Sequence, residues 1–318
     1  MKTALRLVAA VVLLAVIGGI AFYLNPLWFA DRGTRFKLWR EGVKSEYVEV
    51  DGYRLHYLEA GPATGTPLVL IHGLGSRAED WAALIPGLAA QGFHLYVPDL
   101  LGYGRSPKPN VDYSIALETK TVAGFMQAVK VPRADVGGWS MGGWVAMKLA
   151  LDHPEMVQRL VIYDSAGVYF PATFGPELFV PHDVAGLRHL MSVLSPKPIP
   201  LPGFAERAAL EKLQRNGWVV TRSMAAMTSG RDILDFKLYA MQPPMLIVWG
   251  KQDELIPLSV GEKIHEKVPG SVLDVVDGCG HLAPAECAKP VLEATVEFLK
   301  SEPVMRGGGR EFPVEAQK

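Results

Sequence analysis

An α/β fold with a mostly parallel central sheet of about eight strands and helices on both faces is predicted by three observations. Short apolar runs at residues 68–71, 95–97, 134–138, 160–163, 245–249 and 272–276 recur along the chain, most of them separated by a helix-sized segment. Strands that are apolar on both faces belong in a parallel sheet covered on both sides. Second, Gly138-Trp139-Ser140-Met141-Gly142 joins a strand-like run to a helix-like one, and glycines on either side of a serine permit a sharp strand-to-helix turn. Third, 49% of the 318 residues are hydrophobic, ample for a large core.

Residues 1–30 carry no charge between Arg6 and Asp31. As a helix, residues 7–24 would span about 27 Å, close to a bilayer core. Tyr23, Trp28, Arg32, Arg35 and Lys37 then supply an aromatic and basic margin. A single N-terminal membrane anchor is therefore expected, followed by a juxtamembrane segment at 31–44. A signal peptide cleaved near Gly19-Ile20-Ala21 is the rival, and would make the protein secreted or periplasmic. Basic residues flank both ends, so orientation is left open.

The main body is expected to open at 45–166. Alternating residues on either side of Asp51-Gly52 predict a tight hairpin. Helices are expected around 81–91, 117–130 and 141–153, and later at 258–267 and 290–300. About 80 residues separate the strands ending near Asp164 and beginning near Met245, where a crossover helix with its loops takes about 20 to 30. A helical cap is accordingly expected at 167–243, inserted before the last two strands, with the second part of the body at 244–300. Its many aromatic and Met residues suit an auxiliary layer, an acyl pocket or both. The tail, 301–318, with three consecutive glycines, is expected to be mobile.

Charge is nearly balanced, 32 basic against 33 acidic residues, and no basic stripe offers a nucleic-acid surface. Cys279 and Cys287 are too few for a disulfide framework and lack metal-ligand spacing, so two ordinary thiols are expected. No metal or cofactor is called for.

A serine hydroxyl is a poor nucleophile unless a base lies within hydrogen-bond reach and an acid orients that base. For Ser140 the base is expected to be His281, in Gly278-Cys279-Gly280-His281 directly after the last expected strand. The acid is expected to be Asp253, in the loop after 245–249, which opens on the same sheet edge. Asp164, at the end of the strand after the Ser140 helix, is the rival acid. Charge building on a carbonyl oxygen needs fixed donors. The amide of Met141 at the helix head is one, and the amide of Leu74 in His72-Gly73-Leu74-Gly75 is assigned as the other. His72 is read as shaping that loop. Asp99 and Arg105, in the loop 98–106, are read as satisfying loop amides or each other. Gly142, Gly143, Ala146 and Ala150 lie largely on one helix face, for close packing on the sheet.

In chain order, His72-Gly73-Leu74-Gly75, the loop from Asp99 to Ser106, Gly138-Trp139-Ser140-Met141-Gly142, Asp253 in its loop and Gly280-His281 together resemble α/β-hydrolase fold serine hydrolases, over about residues 45–300. Within that superfamily the N-terminal anchor and Ser140-Met141-Gly142-Gly143 are similar to membrane-anchored monoacylglycerol lipases and bacterial lipases or esterases. The resemblance implies cleavage of carboxylic esters, lipid esters such as monoacylglycerols among them, through an acyl-enzyme on Ser140 without a cofactor. It also implies a membrane association through the N-terminal helix, and it leaves the oligomeric state open. Epoxide hydrolases and haloalkane dehalogenases use an aspartate where this chain has Ser140. Carbon-carbon bond hydrolases keep the same three residue types and are the enzymatic alternative, with a hydrolase-like binding protein as the non-enzymatic one.

Overall fold

The computed structural model describes residues 2–313. The N-terminal segment forms helix α1 (Lys2–Leu24), none of whose residues is buried. It is long and apolar enough to cross a bilayer. The helix stops at Leu24 rather than continuing to residue 30. Asn25 breaks it, and Pro26, whose missing N–H suits a first helical turn, starts α2 (Pro26–Arg40). The expected juxtamembrane segment is thus mostly helix, seated on the body through the buried side chains of Pro26 and Leu38. Met1 lies outside the described residues.

The antiparallel pair β1 (Lys44–Val50) and β2 (Tyr53–Ala60) turns at Asp51-Gly52, both at positive φ (49° and 80°), the geometry of a two-residue hairpin with a type I′ turn. Then follow β3 (Thr66–Ile71), a 3-10 turn (Ala78–Trp81), α3 (Ile85–Ala90), β4 (Phe93–Pro98), α4 (Ile115–Ala128), β5 (Ala134–Trp139), α5 (Met141–Asp152) and β6 (Val157–Tyr163). Between β6 and the next strand lie α6 (Val184–Leu194) and α7 (Gly203–Thr228), the helical cap. The body resumes with β7 (Met245–Gly250), α8 (Leu258–Lys267), β8 (Val272–Val276), α9 (Ala283–Glu286), α10 (Ala288–Lys300) and β9 (Glu311–Phe312).

The sheet runs β1-β2-β4-β3-β5-β6-β7-β8-β9, antiparallel at β1-β2-β4 and parallel from β4 onward. Side chains alternate between its faces. Leu68 and Leu70 of β3 pack with Leu88, Val291 and Phe298 on one face. Val69 and Ile71 pack with Phe125, Val145 and Ile264 on the other. The strand order reverses at β3, which has β4 on one side and β5 on the other, so the loops leaving β3 and β5 diverge at the carboxyl edge and leave a crevice.

The ninth strand comes from the tail that the sequence led us to expect as mobile. Leu273, Val275 and Asp277 donate amides to Gly308, Arg310 and Phe312, and Arg310 pairs with Glu297 (2.5 Å). The glycines permit a close approach rather than freedom: a Cβ on Gly309 would sit 1.8 Å from the Leu273 carbonyl oxygen. Residues 314–318 of the expected tail lie outside the described residues. The cysteines also depart from expectation, since Cys279 and Cys287 form a disulfide. Their separation of 8 residues does not by itself bring them together; the short α9 folds Cys287 back to a Cα–Cα distance of 6.4 Å.

Candidate active site

Ser140 sits between β5 and α5 at φ 57°, ψ −121°, a backbone state that costs a non-glycine residue about 1–3 kcal/mol. Its neighbours impose it. A Cβ on Gly138 would fall 2.2 Å from the Gly142 carbonyl oxygen, and one on Gly142 2.2 Å from that of Ile71. Only hydrogen fits at either place, and the hydroxyl is left standing clear at the sheet edge.

His281 and Asp253 reach the same point from the ends of β8 and β7. The Asp253 carboxylate accepts amides of Leu255 and Ile256 (both 2.9 Å) on one oxygen and the Nδ1–H of His281 (2.8 Å) on the other. That bond puts the ring proton on Nδ1 and leaves the Nε2 lone pair facing the Ser140 hydroxyl, 3.0 Å away. The indole of Trp139 donates to the His281 carbonyl (2.8 Å), and the Cys279–Cys287 disulfide closes the loop that carries the imidazole. Neither brace was foreseen from the sequence. Trp139 occupies the variable position of the serine motif, where the spacing says nothing about side-chain type.

Asp164 is not part of this line. Its carboxyl accepts the Gly250 amide (2.7 Å) beneath the Asp253 loop. Burial, with the Asp253 charge adding to it, pushes that carboxyl well above the usual range.

On the other side of Ser140, the loop after β3 packs so closely that a Cβ on Gly73 would lie 3.0 Å from the Ser140 Cβ. Leu74 follows it and lines both cavities that meet at Ser140. The Met141 amide heads α5, where first-turn amides have no intrahelical acceptor. His72 is fully buried, and burial pushes its imidazole below the usual range. It donates through Nδ1 to the Gly73 carbonyl (2.8 Å) and accepts the Leu100 amide at Nε2 (3.0 Å), which pins the loop to its neighbour.

That neighbouring loop is organised by Asp99, which accepts the amides of Ala78 (2.7 Å) and Arg105 (2.8 Å) and the Nδ1–H of His56 (2.7 Å). Burial pushes the Asp99 carboxyl up. The His56 hydrogen bond, the nearby histidines and the Ala78 amide outweigh it and hold it at about 2 against an ordinary 3.8. A folded-state value below the unfolded one stabilises at pH values above the unfolded pKa, and the gain disappears as pH falls through about 2. The gap corresponds to ~2 kcal/mol. Asp99→Asn is expected to lose stability of that order at pH 7 and to flatten the decline between about pH 4 and 2, as read by urea unfolding at graded pH. An unchanged acid slope would contradict this role.

One cavity, of about 200 Å³, is lined by Gly73–Ser76 of the loop after β3, by Asp80, by His281 and Leu282, and by Leu190, Leu194 and Leu213 of the cap. The other, of about 300 Å³, is lined by Trp144, Phe170, Phe174, Met224, Met227 and Ile233 among others. Among the described residues no lysine or arginine lines either one. Among the described residues no cluster of three His, Cys, Asp or Glu side chains is arranged to hold a metal ion.

The family model for the alpha/beta hydrolase family matches residues 68–294. This chain belongs to the α/β hydrolases. The hydrolase is 29% identical over 275 residues to 2-hydroxymuconate semialdehyde hydrolase from Pseudomonas sp. (strain CF600), an alignment covering 78% of this chain and 91% of that one. Among solved structures it is similar to a membrane phospholipase A described as a bacterial virulence factor, with TM-score 0.79, 27% identity and 94% and 98% of the two chains covered. It is also similar to a meta-cleavage product hydrolase from Pseudomonas fluorescens IP01, with TM-score 0.72, 25% identity and coverage of 80% and 97%.

Proposed function

We propose that this hydrolase cleaves carboxylic esters of lipids, with Ser140 as nucleophile. Ser140 Oγ attacks the acyl carbonyl while Nε2 of His281 takes its proton, and Asp253 holds the imidazole in the required tautomer and stabilises it once charged. The amides of Leu74 and Met141 receive the negative charge on the carbonyl oxygen. His281 then protonates the leaving alcohol, and a water activated by the same imidazole releases the acid.

The observation that carries the lipid reading is the pair of apolar, cation-free cavities meeting at Ser140. A carbon-carbon hydrolase acting on a muconate semialdehyde would bring a carboxylate into the site, and a buried carboxylate needs a paired cation. Neither wall supplies one. The exposed apolar helix α1 supports action at a membrane, where lipid esters are locally concentrated. Disulfides persist mainly in oxidising compartments, so the Cys279–Cys287 bond supports a hydrolase domain held outside the cytoplasm.

Turnover of p-nitrophenyl and glyceride esters of graded chain length, beside 2-hydroxymuconate semialdehyde, tests this reading. Each buried methylene contributes about 0.8 kcal/mol, so kcat/KM for an octanoyl ester is expected to exceed that for the acetate by at least tenfold. Faster turnover of the semialdehyde than of every ester would favour the carbon-carbon alternative. A wild-type chain that a fluorophosphonate leaves unlabelled would favour the binding protein.

A further inference from the structure

The loop that carries Leu74 is clamped at both ends, and one of the clamps involves α2. Glycines at 73 and 75, the latter at φ 71°, make the loop itself compliant, so its shape depends on what holds its ends. The first end is held by His72 on Leu100 and Gly73. The second runs into the 3-10 turn, whose Glu79 side chain is 1% exposed and surrounded by arginines. Arg105 Nη2 donates to Glu79 Oε1 (2.5 Å), Arg35 Nε donates to the same oxygen (3.2 Å), and Arg77 Nε lies 3.6 Å from Oε2. Asp31 completes the cluster by pairing with both Arg35 (2.8 Å) and Arg77. Arg105 comes from the loop that Asp99 organises, but Asp31 and Arg35 come from α2, one residue beyond the membrane-length helix α1.

We propose that Asp31 and Arg35 are positioning residues for the oxyanion loop, acting through Arg77 and Glu79, so that the seating of α2 on the body sets the turnover rate. This rests on the ester-hydrolase reading above. Neither side chain lines the two cavities at Ser140, so neither acts by touching substrate there. They act by restraining the end of a flexible loop whose Leu74 amide must meet the developing oxyanion. A buried carboxylate held from three directions is a rigid post; with Arg35 removed, Arg77 and Arg105 still neutralise Glu79, but the direct link from α2 to Glu79 is lost and only the Asp31–Arg77 pair remains.

The experiment uses the full chain in detergent micelles. The rate and KM for a medium-chain ester, the thermal midpoint and the affinity for an alkyl boronic acid are measured for wild type, Arg35→Ala, Arg35→Lys and Asp31→Asn. The boronate adduct is tetrahedral and places an oxygen where the oxyanion would sit. Counting active sites with a fluorophosphonate corrects each rate for folded, competent enzyme. Arg35→Ala is expected to lower kcat roughly tenfold, as small displacements of catalytic groups do, with KM changed less than about twofold and boronate affinity falling in step with kcat. Arg35→Lys is expected to recover part of the loss, and Asp31→Asn to act in the same direction as Arg35→Ala. A kcat per labelled site equal to wild type in both Arg35→Ala and Asp31→Asn would overturn the proposal, as would a fall in kcat with boronate affinity unchanged. A wild-type chain that neither labels nor turns over esters would overturn the ester reading and this proposal together.

Discussion

Ser140→Ala is expected to lower ester turnover by roughly a million-fold, the order of loss when a nucleophile of this type is removed while the rest of its site survives. The hydroxyl is the atom on which His281 converges at 3.0 Å, and no other hydroxyl or thiol is bonded to that nitrogen among the described residues. The substitution removes one oxygen and leaves the glycine contacts that force φ to 57° in place, so the thermal midpoint is expected to move by no more than a surface change would. Steady-state turnover, fluorophosphonate labelling and thermal unfolding on one preparation check this. Activity within tenfold of wild type would remove Ser140 from the mechanism.

Asp253→Asn is expected to lower kcat by about 10⁴, because an amide facing Nδ1 favours the tautomer with its proton on Nε2 and leaves no lone pair for the serine proton. Asp164→Asn is expected to cost less than about tenfold. Asp164 bonds the Gly250 amide rather than the imidazole, and burial beside the Asp253 charge favours its neutral form. A neutral amide is a close replacement for a neutral acid. Two carboxyls at neighbouring strand ends thus divide the work: one orients His281, the other holds the β7 terminus from which the first one departs. Comparing kcat for the two variants at equal site concentration tests the division, and the reverse order of effects would exchange the assignments.

Much of this was legible in the chain because it depends on local rules. Apolar runs of strand length, the Asp51-Gly52 turn and the glycines around Ser140 each specify their own conformation. In a parallel sheet the loops after successive strands open on one edge, and that is why Ser140, Asp253 and His281 could be grouped before any distance was known. The residues that brace them were not legible in the same way. Trp139 finds the His281 carbonyl 142 positions away, and Glu79 gathers arginines from three separate segments.

Sequence alone therefore settled what nearest neighbours along the chain control: the alternation of strands and helices, the sharp turn at the serine and the sheet edge on which the polar residues emerge. Tertiary structure decided the rest: the ending of α1 at Leu24 with α2 seated on the body, the return of the tail as β9, the Cys279–Cys287 bond and the closure of two apolar cavities beneath the cap. These depend on surfaces brought together from distant positions. Their favourable free energy comes from burial and pairing that no local periodicity records.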